Sequence, residues 1–167
     1  IEHSDAPAIV PLADDYELAK MVASIPVPYA LSDAEAFVDK VIKRHDAGEG
    51  TDHVILVNGE VAGVVGNFRN ENDECEIGYW IGRKYWGKGI GTEALRQKIK
   101  IIRADYDPEY LVARVMEENP ASAAILIKAG FTLVEGKEES CASIARDGEV
   151  MSAIRYEYRW MWRLTHR

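Results

Sequence analysis

The run EIGYWIGRKYWGKGIGTEAL, Glu76 to Leu95, decides how this chain is read. It begins like a strand, ends like a helix, and between the two places glycine at every second position: Gly87, Gly89 and Gly91. Glycine loses more conformational freedom on folding than any other residue, so such a cluster needs a cause. A helix entered from a loop of small residues presents several unpaired N–H groups and the positive end of its dipole. Together they suit an anion, phosphate above all. On this reading Gly87, Gly89 and Gly91 let the chain curl, and Trp86, Lys88 and Ile90 lend amides between them. Lys88 adds a point charge, and Thr92 caps the helix or donates to an oxygen. A tight strand-to-helix turn without a ligand would ask for the same glycines. Two nucleotide patterns fail. The Walker loop needs its lysine just before Ser or Thr, and GKGIGT does not have the G-x-G-x-x-G spacing of a dinucleotide fold.

Outward from the loop, the period of the apolar residues sets the elements. LADDYELAKMVASI reads as a short helix, which Pro26 and Pro28 end. Ser32 and Glu35 form a capping box for a second helix with the stripe Phe37, Val38, Val41 and Ile42, and Gly48 stops it. HVILV and EVAGVVGNF are strands joined by Asn58-Gly59, a strong hairpin signal. ECEIGYWI is a third strand leading into the glycine loop. Thr92 to Ala104 reads as a helix, EYLVARVME as a strand, and NPASAAILIKAG as a helix closed by Gly130. FTLVEG and MSAIRYEYRWMWRL supply late strands, with Asp147-Gly148 as a turn between them. The order predicts a mixed α+β fold, a mostly antiparallel sheet with helices packed on it and one parallel crossover in the middle.

Composition narrows the partners. With 167 residues, 47% of them apolar and 29% charged, the chain suits one globular domain, and its net charge is −8. That charge argues against a general nucleic-acid or anionic-membrane binder and weakly favours a cationic partner such as an amine. No apolar run has the length of a membrane span, and IEHSDAPAIV lacks the basic start and apolar core of a leader. Cys75 and Cys141 are isolated, and His3, His45, His53 and His166 have no metal-ligand spacing. A cytoplasmic, metal-free protein is the expectation.

YWGKGIGTEAL resembles the acetyl-coenzyme A loop of the GNAT N-acetyltransferases, with Gly89 and Gly91 in the glycine positions. Trp86 stands where many members have Gln or Arg, a form typical of the RimJ/RimL-like branch, the ribosomal-protein N-terminal acetyltransferases. ENPASAAILIKAGF supports the match through Asn119, Ser122, Lys128, Gly130 and Phe131. The resemblance covers about Asp5 to Leu164 and implies one GNAT-like domain over 1–167, its sheet splayed at the middle and helices on both faces. It also implies an acetyl-coenzyme A-dependent N-acetyltransferase. The pyrophosphate would then sit on the amides from Trp86 to Thr92. The pantetheine arm would run beside Tyr79, Trp80 and Ile81 like an added strand. Gly78 would mark a bulge or close approach there, and Asn119 would bond a pantetheine amide unless it serves only as a helix N-cap.

Direct transfer from a thioester to an amine needs a neutral amine, a donor for the oxyanion, and a group to balance the leaving thiolate. A strand N–H at Trp80 or Ile81 is the expected oxyanion donor. Glu76, preferred to Glu74 two residues before it, is the expected base, directly or through a water. Many family members carry a tyrosine acid at the position of Leu126 here, which leaves Ser122 to hydrogen-bond the sulfur. Lys128 snorkels at a helix end, and neither cysteine carries an activating pattern. Tyr156, Tyr158, Trp160 and Trp162 share one strand face and read as core packing, with a wall of the acceptor pocket as the alternative. Tyr29, Pro26 and Pro28 border the acceptor by resemblance. The acceptor is a protein N-terminal α-amine or a small amine, and the enzyme a monomer or homodimer. The alternative function is a coenzyme A-binding sensor without turnover.

Overall fold

The computed structural model describes residues 1–160. Helix α1 (Ala6–Ala13), the single turn α2 (Tyr16–Ala19) and helix α3 (Leu31–Asp46) precede strands β1 (Gly50–Val57), β2 (Glu60–Arg69) and β3 (Cys75–Ile81). Helix α4 (Ile90–Asp105), strand β4 (Tyr110–Met116) and helix α5 (Pro120–Ala129) follow, then strands β5 (Thr132–Ser143) and β6 (Glu149–Arg159). Among the described residues, six strands form one sheet in the order β1-β2-β3-β4-β6-β5. Every neighbouring pair is antiparallel except β3 and β4. The mixed sheet with one parallel crossover is the expected one.

Local chemistry explains most boundaries. Asn58 and Gly59 both take positive φ, +52° and +83°, as a two-residue hairpin requires. The first helix is not where LADDYELAKMVASI placed it. It ends at Ala13, and the chain is then held open by two carboxylates. Asp14 accepts from Tyr29 N at 2.9 Å, and Asp15 caps the short α2 by accepting from Glu17 N at 3.0 Å. The capping box of α3 also shifts. Asp33 accepts from Ala30 N at 2.8 Å, so the helix starts before Ser32, and Glu35 takes no part. Strand β5 runs past the expected FTLVEG to Ser143, with a register irregularity between Leu133 and Glu138. Asp147 and Gly148 are in the turn before β6, both at positive φ.

The two faces of the sheet are covered by different helices. Helices α4 and α5 bury Leu95, Ile102 and Leu126 against Ile77, Leu111 and Tyr156. On the opposite face α1 and α3 bring Ile9, Ala13 and Val38 against Val64 and Trp80. Each fully buried Leu or Ile side chain contributes roughly 1.5–3 kcal/mol relative to exposure. Tyr156, Tyr158 and Trp160 lie on the α4–α5 face, with Tyr158 and Trp160 edge to face at 4.9 Å between centroids. Trp160 also donates to Pro108 O at 3.0 Å. Core packing is their role; Trp162 lies outside the described residues.

Lys98 of α4 is a polar exception within this packing. It is 1% exposed, and its ammonium donates to Thr51 O at 2.8 Å and Thr51 Oγ1 at 2.6 Å, with His53 Nδ1 at 3.3 Å. Burial, opposed by Asp52, lowers its pKa to about 8. The unfolded chain therefore binds more protons between the folded value and the ordinary 10.5, and stability rises with pH across that window. The gain is on the order of 2–3 kcal/mol. Urea unfolding at pH 8 and pH 10 is expected to show it for the wild type and to lose it in Lys98→Met.

Candidate active site

A gap in the sheet organises the site. Asn70 N donates to Glu74 O at 3.0 Å, and Gly82 N to Ala62 O at 2.9 Å. These two bonds fix the phase of the β2–β3 ladder, so the even-numbered residues of β3 exchange bonds with β2. The N–H and C=O groups of Tyr79 and Ile81 consequently point toward β4. Strand β4 meets β3 at one registered pair, Glu76 with Val112, and the ladder stops there. On the β4 side, Glu117 N donates to Ser152 O at 3.0 Å, which turns the backbone of Arg114 and Met116 toward the same gap. The Met116 carbonyl accepts from Asn119 N at 2.8 Å, and the Ile81 carbonyl from the Trp86 indole at 2.6 Å.

Of the two expected oxyanion donors, Trp80 and Ile81, this phase removes the first and keeps the second. The Trp80 amide faces β2, so the amides at the gap belong to Tyr79 and Ile81. Gly78 is not a bulge either. It stands in register with Gly66, and a Cβ built there would lie 3.8 Å from Phe68, an ordinary contact.

The glycine loop divides its labour. Gly87 and Gly89 take φ of +73° and +76°, with open space where a Cβ would stand, and Gly89 caps α4. Gly91 is helical instead: a Cβ there would come within 3.0 Å of Ile125 Cδ1, so its role is the close approach of α5. Glu93 N closes the first helical bond on Gly89 O, which leaves the amides of Ile90, Gly91 and Thr92 without an intrahelical partner. Two expected contributors are engaged elsewhere. Trp86 N donates to Arg83 O at 3.1 Å, and Lys88 Nζ folds back onto Lys84 O at 2.9 Å. The N-cap is Gly89, and Thr92 lies inside the first turn rather than at the capping position.

The carboxylates separate sharply. Glu74 is held by Arg155 and pulled down to about 2, which removes it as a base near neutrality. Glu76 is 6% exposed and accepts from Arg114 Nε at 3.0 Å on Oε1. Its Oε2 meets Arg114 Nη2 at 2.9 Å and Asn70 Nδ2 at 3.2 Å. Three of its four lone-pair directions are thus occupied, and Arg114 is the partner that sequence reasoning missed. Asn119 is the N-cap of α5, its Oδ1 accepting from Ser122 N at 3.0 Å, which leaves its amide NH2 for other partners. Ser122 Oγ lies 2.8 Å from the phenol of Tyr79, a contact no sequence pattern announced. Leu126 is fully buried in the α4–α5 core. Burial pushes both free thiols, Cys75 and Cys141, up.

One cleft of about 1440 Å³ joins the parts, lined among others by Glu76, Tyr79, Gly89, Asn119 and Ser122. Tyr29 and Pro26 also line it, and Tyr29 is pushed up to about 12 by burial and Asp33. Pro28 is not among the lining residues. Ile144 N donates to Ala23 O at 3.0 Å, tying the segment before α3 to the turn between β5 and β6. No helix among the described residues is long and apolar enough to cross a membrane.

A family model described as an acetyltransferase (GNAT) domain matches residues 1–132, and the chain belongs to that family. It is 30% identical over 110 residues to YdaF of Bacillus subtilis (strain 168), provisionally named a ribosomal N-acetyltransferase; this covers 65% of this chain and 56% of that protein. It is 28% identical over 103 residues to the ribosomal-protein-serine acetyltransferase of Escherichia coli (strain K12), covering 60% and 58%. The chain thus spans less than two thirds of these relatives' length. Its fold is that of RimL, a ribosomal L7/L12 α-N-protein acetyltransferase solved in complex with coenzyme A. The TM-score is 0.79 at 21% identity, over 95% of this chain and 90% of that one.

Stability measurements can separate buried from exposed charge around Glu76. Arg114→Met strands a carboxylate that is 6% exposed. It is expected to cost about 2 kcal/mol, less than the full penalty for breaking a buried pair because Arg114 keeps some solvent contact. Glu71→Gln removes only the exposed partner of Arg114 and should cost less than about 0.5 kcal/mol. Urea midpoints of the two variants test the contrast.

Proposed function

We propose that this chain, as one domain over residues 1–167, transfers an acetyl group from acetyl-coenzyme A directly to a primary amine, with a protein N-terminal α-amine as the acceptor. One observation carries the reading. A cradle of free helix amides and an unpaired strand edge open into a single cleft. A diphosphate and an amide-bearing arm ending in a thioester need those two features side by side. The names and folds of the relatives point to the same chemistry.

The amides of Ile90, Gly91 and Thr92 hold the pyrophosphate, and the left-handed Gly87 and Gly89 keep side chains out of its way. Lys88 contributes its backbone. The Tyr79 carbonyl and whichever of the Tyr79 and Ile81 amides is not given to the oxyanion align the pantetheine arm, and Trp86, capping the Ile81 carbonyl, marks where that pairing stops. Bound acetyl-coenzyme A supplies the activated acetyl group. A strand amide, Tyr79 or Ile81, donates to the oxygen that gains charge. Glu76 keeps one open lone pair, enough to hold a water through which the proton of the amine passes to the carboxylate. The Asn119 amide bonds the arm, and Ser122 donates to the leaving sulfur. A coenzyme A sensor is the second reading, and one observation favours it: Arg114 and Asn70 already engage both oxygens of Glu76.

Release of free thiol from acetyl-coenzyme A, followed over a panel of peptides with free N-termini and of small amines, tests the proposal. Turnover is expected on peptides; binding without release on every acceptor would leave the sensor. Gly89→Val puts a side chain at a left-handed position inside the cradle, and calorimetry should show coenzyme A affinity down at least about tenfold, some 1.4 kcal/mol. Glu76→Gln should depress kcat/KM most at low pH, where the amine most needs a base. A profile parallel to wild type would leave Glu76 a structural role alone.

A further inference from the structure

Tyr79 enters the site twice. Its backbone faces the gap, while its side chain turns to the α4–α5 face and packs beside that core. There the phenol oxygen lies 2.8 Å from Ser122 Oγ and 3.2 Å from Ser122 O. Ser122 is itself fixed, because its N–H donates to Asn119 Oδ1 in the first turn of α5. Two hydroxyls in contact, each with one proton, can be ordered in two ways. Where serine donates to tyrosine, the phenol proton goes to the Ser122 carbonyl, and the proton of Ser122 is spent on the phenol oxygen. Where tyrosine donates to serine, that proton is left for a third atom, and the donated bond polarises the serine O–H.

We propose that Tyr79 is a positioning residue for the leaving group: its phenol donates to Ser122 Oγ and so turns the serine proton toward the sulfur of coenzyme A. This rests on the acetyltransferase reading above. Burial holds the Tyr79 phenol up at about 12, so it remains a donor throughout the range in which the chain would work. Serine alone is a poor acid, and an oriented, polarised hydroxyl supplies the thiolate with a hydrogen bond rather than with a transferred proton. No bond to hydrogen need break. The thiolate is stabilised as it departs, and both hydroxyls keep their protons.

The thiol of bound coenzyme A reads this arrangement without any acceptor. The full chain is saturated with coenzyme A, and the thiolate is followed by its ultraviolet absorbance against pH. Removing either hydroxyl should raise the pH at which half the bound thiol ionises by about one pH unit, a tenfold change in proton affinity. Ser122→Ala and the double variant should give the same rise, and Tyr79→Phe alone a rise no larger than theirs, because Tyr79 acts only through Ser122. Charged groups on the elements packed here include Glu76 on β3, Arg114 on β4, Arg96 on α4 and Lys128 on α5, all retained in these variants. Ser122→Thr, which keeps a hydroxyl, should retain the dependence on Tyr79. Tyr79→Met provides a second deletion of the phenol should the phenylalanine variant fail to fold. An unshifted thiol in the Tyr79 variants, or additive shifts in the double variant, overturns the proposal. Failure of the wild type to bind coenzyme A in calorimetry overturns the acetyltransferase reading as well; binding with an unshifted thiol overturns this inference alone.

Discussion

Strands β3 and β4 are joined by one registered pair, Glu76 with Val112, and then part. Unpaired N–H and C=O groups buried away from water cost about 1–3 kcal/mol each, so a sheet does not open in its middle without compensation. Here the exposed edges face a cleft, where water or a ligand backbone can pair them. The parallel crossover through α4 makes the opening possible, since it lets β4 lie beside β3 without a hairpin to hold the pair together. The loop, the helix dipole and the carboxylate all take their positions from that fork.

Side chains make up for the missing ladder at its base. Arg114 on β4 holds Glu76 on β3, while Arg155 on β6 reaches across to Glu74 on β3 at 2.7 Å and to Glu157 on its own strand at 2.9 Å. Arg155 is 2% exposed, so this charge is out of water and depends on its partners. Burying such a group is expensive, and its pairing here spreads the cost over a network that crosses three strands. The same network that secures the fork also occupies most of Glu76. Any role for that carboxylate in proton transfer is therefore restricted to its one open lone pair, which favours a water over direct contact with the amine.

Much of this was legible in the sequence, and the failures share a cause. The strand runs of β1 to β3, the Asn58-Gly59 turn, the Gly130 stop and the order of elements are local signals, and the structure follows them. The first helix was misplaced because Asp14 and Asp15 act through bonds to Tyr29 and Glu17 rather than through periodicity. The start of α3 moved because Asp33 outcompeted Ser32 and Glu35 for the cap. In the candidate site, the glycines were found because positive φ leaves a mark on sequence. The engagement of Trp86 and Lys88 with nearby carbonyls, the Arg114 clamp and the Tyr79–Ser122 contact were invisible, because side-chain direction and partners many residues away leave none.

Gly91 shows how the two halves of the site are kept in register. It belongs to a glycine run that reads as a ligand loop, yet its φ is ordinary, and what its missing Cβ admits is Ile125 of α5. The first turn of α4 carries the free amides, and the first turn of α5 carries Asn119 and Ser122. A Cβ at 91 would ask the Ile125 side chain to give by a few tenths of an ångström, and a residue larger than alanine would press the two helix starts apart. The cradle would survive, since Gly87 and Gly89 shape it, but Ser122 would move relative to both the amides and Tyr79. The third glycine thus sets the distance between the group that grips the diphosphate and the hydroxyl that meets the sulfur.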